Sequence, residues 1–107
     1  MAQSYTSMSP KITVDREQLA QFCRRNHIVK LSLFGSVLTD RFGPGSDVDM
    51  LVQFARDHTP GLFDIARMER ELSAIVGRKV DIRTAEDLSR HFREAVVAAA
   101  VPQYAGN

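Results

Sequence analysis

The chain has 107 residues, with 14 Lys and Arg against 13 Asp and Glu, a net charge of +1 and 44% hydrophobic residues. That length allows one domain with its own core, and the near-zero charge argues against a general nucleic-acid coat or a membrane-surface protein, both of which need a large basic excess. No apolar run approaches the roughly 20 residues that span a bilayer, and a single cysteine, Cys23, excludes an internal disulfide.

The opening residues, MAQSYTSMSP, lack both a basic stretch and an apolar run of the signal-peptide kind. A cytoplasmic location is the expectation, with residues 1–12 read as a polar tail and 13–104 as the domain. Asp15, with Gln18 three residues on, resembles a capping box, and Leu19, Phe22 and Cys23 share one helical face. A helix over 15–26 follows, with Cys23 as a small buried apolar residue rather than a reactive thiol. Ile28 to Phe34 is β-rich and runs into Gly35-Ser36, after which Val37 to Phe42 has room for one or two helical turns. Gly43-Pro44-Gly45-Ser46 signals a turn. Asp47 to Phe54 alternates, with Val48, Met50, Val52 and Phe54 on one side and Asp47, Asp49, Leu51 and Gln53 on the other.

Residues 55–61 read as a loop. Leu62, Ile65, Ala66, Leu72, Ile75 and Val76 form a helical stripe closed by Gly77. Lys79 to Arg83 is a short strand with Val80 and Ile82 opposite Asp81 and Arg83. Thr84 and Asp87 carry a capping signature, and Leu88, Phe92, Val96 and Ala99 predict a last helix ended by Pro102. The order α-β-(α)-β-α-β-α predicts an α/β sandwich, a small sheet of about three strands with helices packed on it.

Asp47 and Asp49 sit at i and i+2 of one strand, so they share a face, roughly 7 Å apart. Two such carboxylates resist simultaneous ionisation unless a cation lies between them; taken alone, the pair also fits an ordinary solvated strand face. Asp81 shifts that balance. If its strand pairs beside Asp47–Phe54 with Val80 and Ile82 toward the core, Asp81 falls on the same face. Three carboxylates there would suit Mg²⁺, whose coordination substrate phosphates commonly complete. Gly35-Ser36 follows a strand, where a glycine lets the backbone approach a phosphate and a helix start offers free N–H groups; alone, such a pair is more often a plain turn. His27, His58 and His91 have no metal-ligand spacing, and Arg67, Arg70, Arg78, Arg90 and Arg93 read as solvated helix faces or ends.

The combination of Gly35-Ser36, then ten residues, then Asp47-x-Asp49, then a strand aspartate at Asp81 resembles the polymerase-β-like nucleotidyltransferases. The wider run LSLFGSVLTDRFGPGSDVDMLVQF, with PGLFDIARMERELSAIVGRKVDI and REAVVAAAVPQY, is similar to the minimal nucleotidyltransferases over about residues 13–104. The resemblance implies their α/β (α+β) fold, a small mixed sheet of about three or more strands flanked by helices. It implies a Mg²⁺-dependent enzyme with ATP as substrate, in which Gly35 and Ser36 hold the β- and γ-phosphates and Asp47 and Asp49 ligate two Mg²⁺ ions. Asp81 would be the third carboxylate, close to the attacking hydroxyl. Many relatives carry arginines after the Gly-Ser pair, where this chain has Val37-Leu38-Thr39-Asp40; Arg41 is a substitute source of positive charge. Such small proteins commonly act as antitoxins that transfer AMP to a tyrosine of a HEPT-domain ribonuclease toxin, which implies a hetero-oligomer with no membrane and no direct nucleic-acid role. Two other readings stay open: an antitoxin that only binds and occludes, and a small-molecule nucleotidyltransferase, which would need a further domain for its acceptor.

Overall fold

The computed structural model describes residues 5–6 and 12–106. A short strand β1 (Tyr5–Thr6) pairs antiparallel with β2 (Val14–Asp15). The stretch read as a polar tail lies largely outside the described residues, apart from β1 and the buried Ile12.

Helix α1 (Arg16–Arg25) starts where the sequence says it must. The Asp15 carboxylate accepts from the Glu17 and Gln18 N–H groups at 3.0 and 3.1 Å, which satisfies two of the donors a helix start leaves over. At the other end, Asn26 Nδ2 donates to the Phe22 carbonyl at 2.9 Å. Arg67 then bridges this cap to the neighbouring helix, donating to Asn26 Oδ1 and Glu71 Oε2, each at 3.1 Å.

The main sheet has four strands in the order β5-β4-β3-β6. β3 (Ile28–Phe34) and β4 (Val48–Phe54) are antiparallel, β5 (Val80–Arg83) lies parallel to β4, and β6 (Val101–Ala105) lies antiparallel to β3. Helix α2 (Leu62–Val76) makes the crossover from β4 to β5 and stops at Gly77, whose φ of 80° is the left-handed conformation glycine adopts without strain. Directly opposed residues share a face. The register therefore puts Leu31, Leu33, Val48, Met50, Val52, Val80 and Ile82 on one side, all buried, under α1 and α2. Leu19, Phe22 and Cys23 of α1, and Met68 and Leu72 of α2, fill the space above them.

Four features differ from the sequence expectation. The helical turn after β3 is a 3-10 turn at Gly35–Leu38, two residues ahead of the Val37–Phe42 segment expected to hold it. β4 begins at Val48, so Asp47 precedes the ladder. Leu62, placed on the apolar stripe of α2, is 88% exposed, and Met68 takes its place in the core. The predicted last helix is divided: the Thr84–Asp87 signature is real, with the Thr84 N–H donating to Asp87 Oδ2 at 2.9 Å, but it closes one 3-10 turn (Ala85–Asp87). Helix α3 (Arg93–Ala99) starts later, and Pro102 lies inside β6, a border strand where a missing N–H is tolerated.

Candidate active site

The face of the sheet away from α1 and α2 is organised in rows by the register. One row runs Phe34–Asp49–Asp81 across β3, β4 and β5, and the next runs Ser32–Leu51–Arg83. Parallel neighbours in a sheet lie about 5 Å apart, so the Asp49 and Asp81 carboxylates issue side by side from adjacent strands. The parallel crossover through α2 makes this possible, because it brings residues some thirty positions apart into one row.

Gly35 closes the third side of Asp49. It has φ of 80°, and a Cβ built on it would stand 2.5 Å from Asp49 Oδ2. Any other residue type would be strained by the positive φ and would push the Asp49 carboxylate aside. The chain thus turns away from β3 with its backbone against the central carboxylate. Ser36 follows in the 3-10 turn, its carbonyl accepting from the Thr39 N–H and Thr39 Oγ1, each at 2.9 Å. A four-residue turn is too short to supply the helix-start field expected from the sequence, so close backbone approach is what this segment offers a phosphate. Arg41 is exposed in the same connection.

Asp47 is half-buried at the mouth of β4, with its Oδ2 3.7 Å from Lys79 Nζ. Asp49 feels the whole arrangement. Burial pushes its carboxyl above the ordinary carboxylate range, the Asp81 charge pushes it further, Arg83 pulls it back, and Asp47 adds a smaller push. Among the described residues, no three His, Cys, Asp or Glu side chains are drawn together tightly enough to enclose a metal ion. Asp49 and Asp81 are direct neighbours, and Asp47 stands just before the strand, with Lys79 beside it. The donor set nevertheless suits a hard divalent cation: it is all carboxylate oxygen, and ionising its central member carries a cost that a cation would relieve.

A groove of about 1020 Å³ opens on this same face, its floor including Ser32, Leu51 and Arg83 and its walls including Thr84 and Val97. It begins one row from the acids, at Ser32, Leu51 and Arg83, and extends away from them toward residues 55–60. One histidine, His58, lines the groove at its far end. His27 and His58 stack at 3.7 Å between ring centroids, at the end of the β3–β4 pair remote from Asp49.

Arginines read as solvated are in use. Arg78 donates to the carbonyls of Gly43 and Ser46, and Arg93 Nε donates to the Ala85 carbonyl at 2.7 Å. Sequence pattern carries little trace of such bonds, because a main-chain carbonyl accepts from any donor that tertiary structure brings to it.

Residues 16–102 match the family described as nucleotidyltransferase domain. A protein of Methanocaldococcus jannaschii named "Putative protein adenylyltransferase" is 27% identical over 77 residues, covering 72% of this chain and 81% of that one. A solved structure described as "putative minimal nucleotidyltransferase" superposes with a TM-score of 0.66 at 36% identity, over 81% of this chain and 87% of its own. The fold also matches a toxin-antitoxin crystal structure with AMP-PNP (TM-score 0.68, 19% identity, 88% of this chain and 76% of that one). A further match is the toxin-antitoxin MntA-HepT (TM-score 0.60, 18% identity, 84% and 69%). With the acid row on a mixed four-stranded sheet and a family match over most of its length, this chain belongs to the nucleotidyltransferase domain family.

Proposed function

We propose that this chain is a cytoplasmic, Mg²⁺-dependent protein adenylyltransferase that moves AMP from ATP to a tyrosine hydroxyl of a HEPT-domain ribonuclease toxin and so neutralises it. One observation carries the reading: Asp49 is flanked by Asp81 and Asp47 and has the Gly35 backbone against its carboxylate. The matched toxin-antitoxin structures support the choice of partner.

In the proposed reaction the phenolic oxygen of the acceptor forms a bond to the α-phosphorus of ATP, the bond from that phosphorus to the bridging oxygen of pyrophosphate breaks, and the phenolic proton is lost. Divalent cations held by Asp47, Asp49 and Asp81 would neutralise phosphate charge and favour the phenolate. Gly35 leaves room for the triphosphate beside the acids, and Ser36 adds a hydroxyl donor there. The chain's other contribution is position, since strands fixed in register hold Asp49 and Asp81 at constant separation. The groove beside the acid row gives the incoming tyrosine-bearing segment a place to lie. A phenol with a pKa near 10 ionises there more readily than an aliphatic hydroxyl.

Occlusion without transfer is the second reading. It is favoured by Leu62 and Phe63, 88% and 93% exposed at the start of α2, an apolar pair suited to burial against a partner. Intact-mass measurement of the toxin after incubation with this chain and Mg²⁺-ATP separates the two. A gain of AMP by the toxin is the expected result. A toxin of unchanged mass that is still neutralised by Asp49→Asn would overturn transfer in favour of occlusion.

A further inference from the structure

We propose that Arg78 is a positioning residue for Asp47, acting as a clamp across the turn that delivers this carboxylate to the acid row. The proposal rests on the carboxylate reading given above. Asp47 precedes the first ladder residue of β4, so strand pairing does not place it. It is placed by what holds the turn before it, Gly43-Pro44-Gly45-Ser46. That turn has two internal ties, both between its first and last residues: the Ser46 N–H donates to the Gly43 carbonyl, and the Gly43 N–H donates to Ser46 Oγ, each at 3.0 Å. Its two glycines have open space where side chains would be, so side-chain packing at those two positions adds nothing to these ties.

Arg78 supplies the constraint. Its Nη2 donates to the carbonyls of both Gly43 and Ser46, the latter at 2.9 Å, and so spans the first and last residues of the turn. Its guanidinium lies over the Phe42 ring, 4.4 Å from the centroid, a favourable cation–π contact that braces the group. The next residue continues the grip. The Lys79 carbonyl accepts from the Val48 N–H at 2.8 Å, and Lys79 Nζ stands 3.7 Å from Asp47 Oδ2. Residues 78 and 79 therefore hold the segment 42–48 at both ends. Since they lead directly into β5, the same two residues tie the position of Asp47 to that of Asp81. A planar guanidinium braced on a ring can serve two carbonyls at once in a fixed geometry, whereas a lysine ammonium on a flexible stem holds that geometry poorly.

The test compares the full wild-type chain with Arg78→Lys and Arg78→Ala by three measurements: the thermal midpoint, amide hydrogen exchange over residues 43–48, and binding of Mn²⁺ alone, read from loss of the free-ion EPR signal. The expected result is exchange over 43–48 accelerated about tenfold or more while the β3–β4 ladder stays as protected as in wild type. The Mn²⁺ dissociation constant should rise about 10–100-fold, the usual effect of losing a residue that orients a metal ligand. Arg78→Lys should recover only part of either effect. Unchanged exchange over 43–48, or unchanged Mn²⁺ affinity despite a loosened turn, overturns the proposal. So does a loss of affinity that merely follows a loss of thermal midpoint in both variants, since that marks a purely structural role. A wild-type chain that binds no Mn²⁺ overturns the carboxylate reading itself; anomalies confined to the Arg78 variants overturn the clamp alone.

Discussion

Asp49 is the residue on which the proposed chemistry turns, and its surroundings make it a measurable one. In the metal-free protein its folded-state pKa is raised by burial and by Asp81. The native state therefore binds this proton more tightly than the unfolded chain does, and stability falls as pH rises from the ordinary carboxylate value through the raised one, then levels off. Asp49→Asn removes that dependence, so its thermal midpoint above this window should match or exceed that of the metal-free wild type, while transfer is lost. A calorimetric pH series on both proteins checks the sign. Added Mg²⁺ should raise the wild-type midpoint and leave Asp49→Asn nearly unmoved, and EDTA should reverse the rise. Gly35→Ala is the complementary change. It imposes a positive φ on alanine and sets a methyl against Asp49 Oδ2, so it should cost about 2 kcal/mol of stability by denaturant titration and most of the transfer activity.

Among the elements, α1 and β5 show how local signals and long-range packing divide the work. Asp15→Ala removes a helix cap remote from the acids and should cost about 1 kcal/mol in urea melts with transfer unaffected. That cap was legible in the sequence because donor, acceptor and helix all lie within four residues. The apolar alternation of β4 was legible for the same reason, and so was Gly77 as the end of α2. The last stretch of the chain was not. Thr84 and Asp87 satisfy local donors but do not decide how far a helix propagates, and Arg93 draws the carbonyls of Ala85, Glu86 and Leu88 to itself instead. β6 was missed because Pro102 reads as a terminator, and only its place at the border of the sheet makes a proline there acceptable. At the candidate site, residue types and spacing pointed to Asp47, Asp49, Asp81 and Gly35. The pairing of Asp49 with Asp81 and the use made of Arg78 depend on register, which periodicity does not specify.

At the scale of the molecule, one core lies between the sheet and the helices α1 and α2, and Cys23 sits fully within it. Burial pushes its thiol up to about 12, so the reactive thiolate is scarce in the folded state. Alkylation of Cys23 by iodoacetamide should be slow in native protein and should accelerate in step with global unfolding across a urea series; rapid labelling under native conditions would show that the core opens locally. The two long borders of the sheet are unlike. Along β5 the outward N–H groups of Val80 and Ile82 are already taken, at 3.0 and 2.8 Å, by Ser73 Oγ and Glu69 Oε2 of α2. That border is sealed against templating by another chain, which is how natural sheets avoid fusing edge to edge. Any growth of this sheet by main-chain pairing is left to β6, with β3 between it and the strand that bears Asp49. A companion recruited by such pairing would leave the border that carries Asp81 open to solvent.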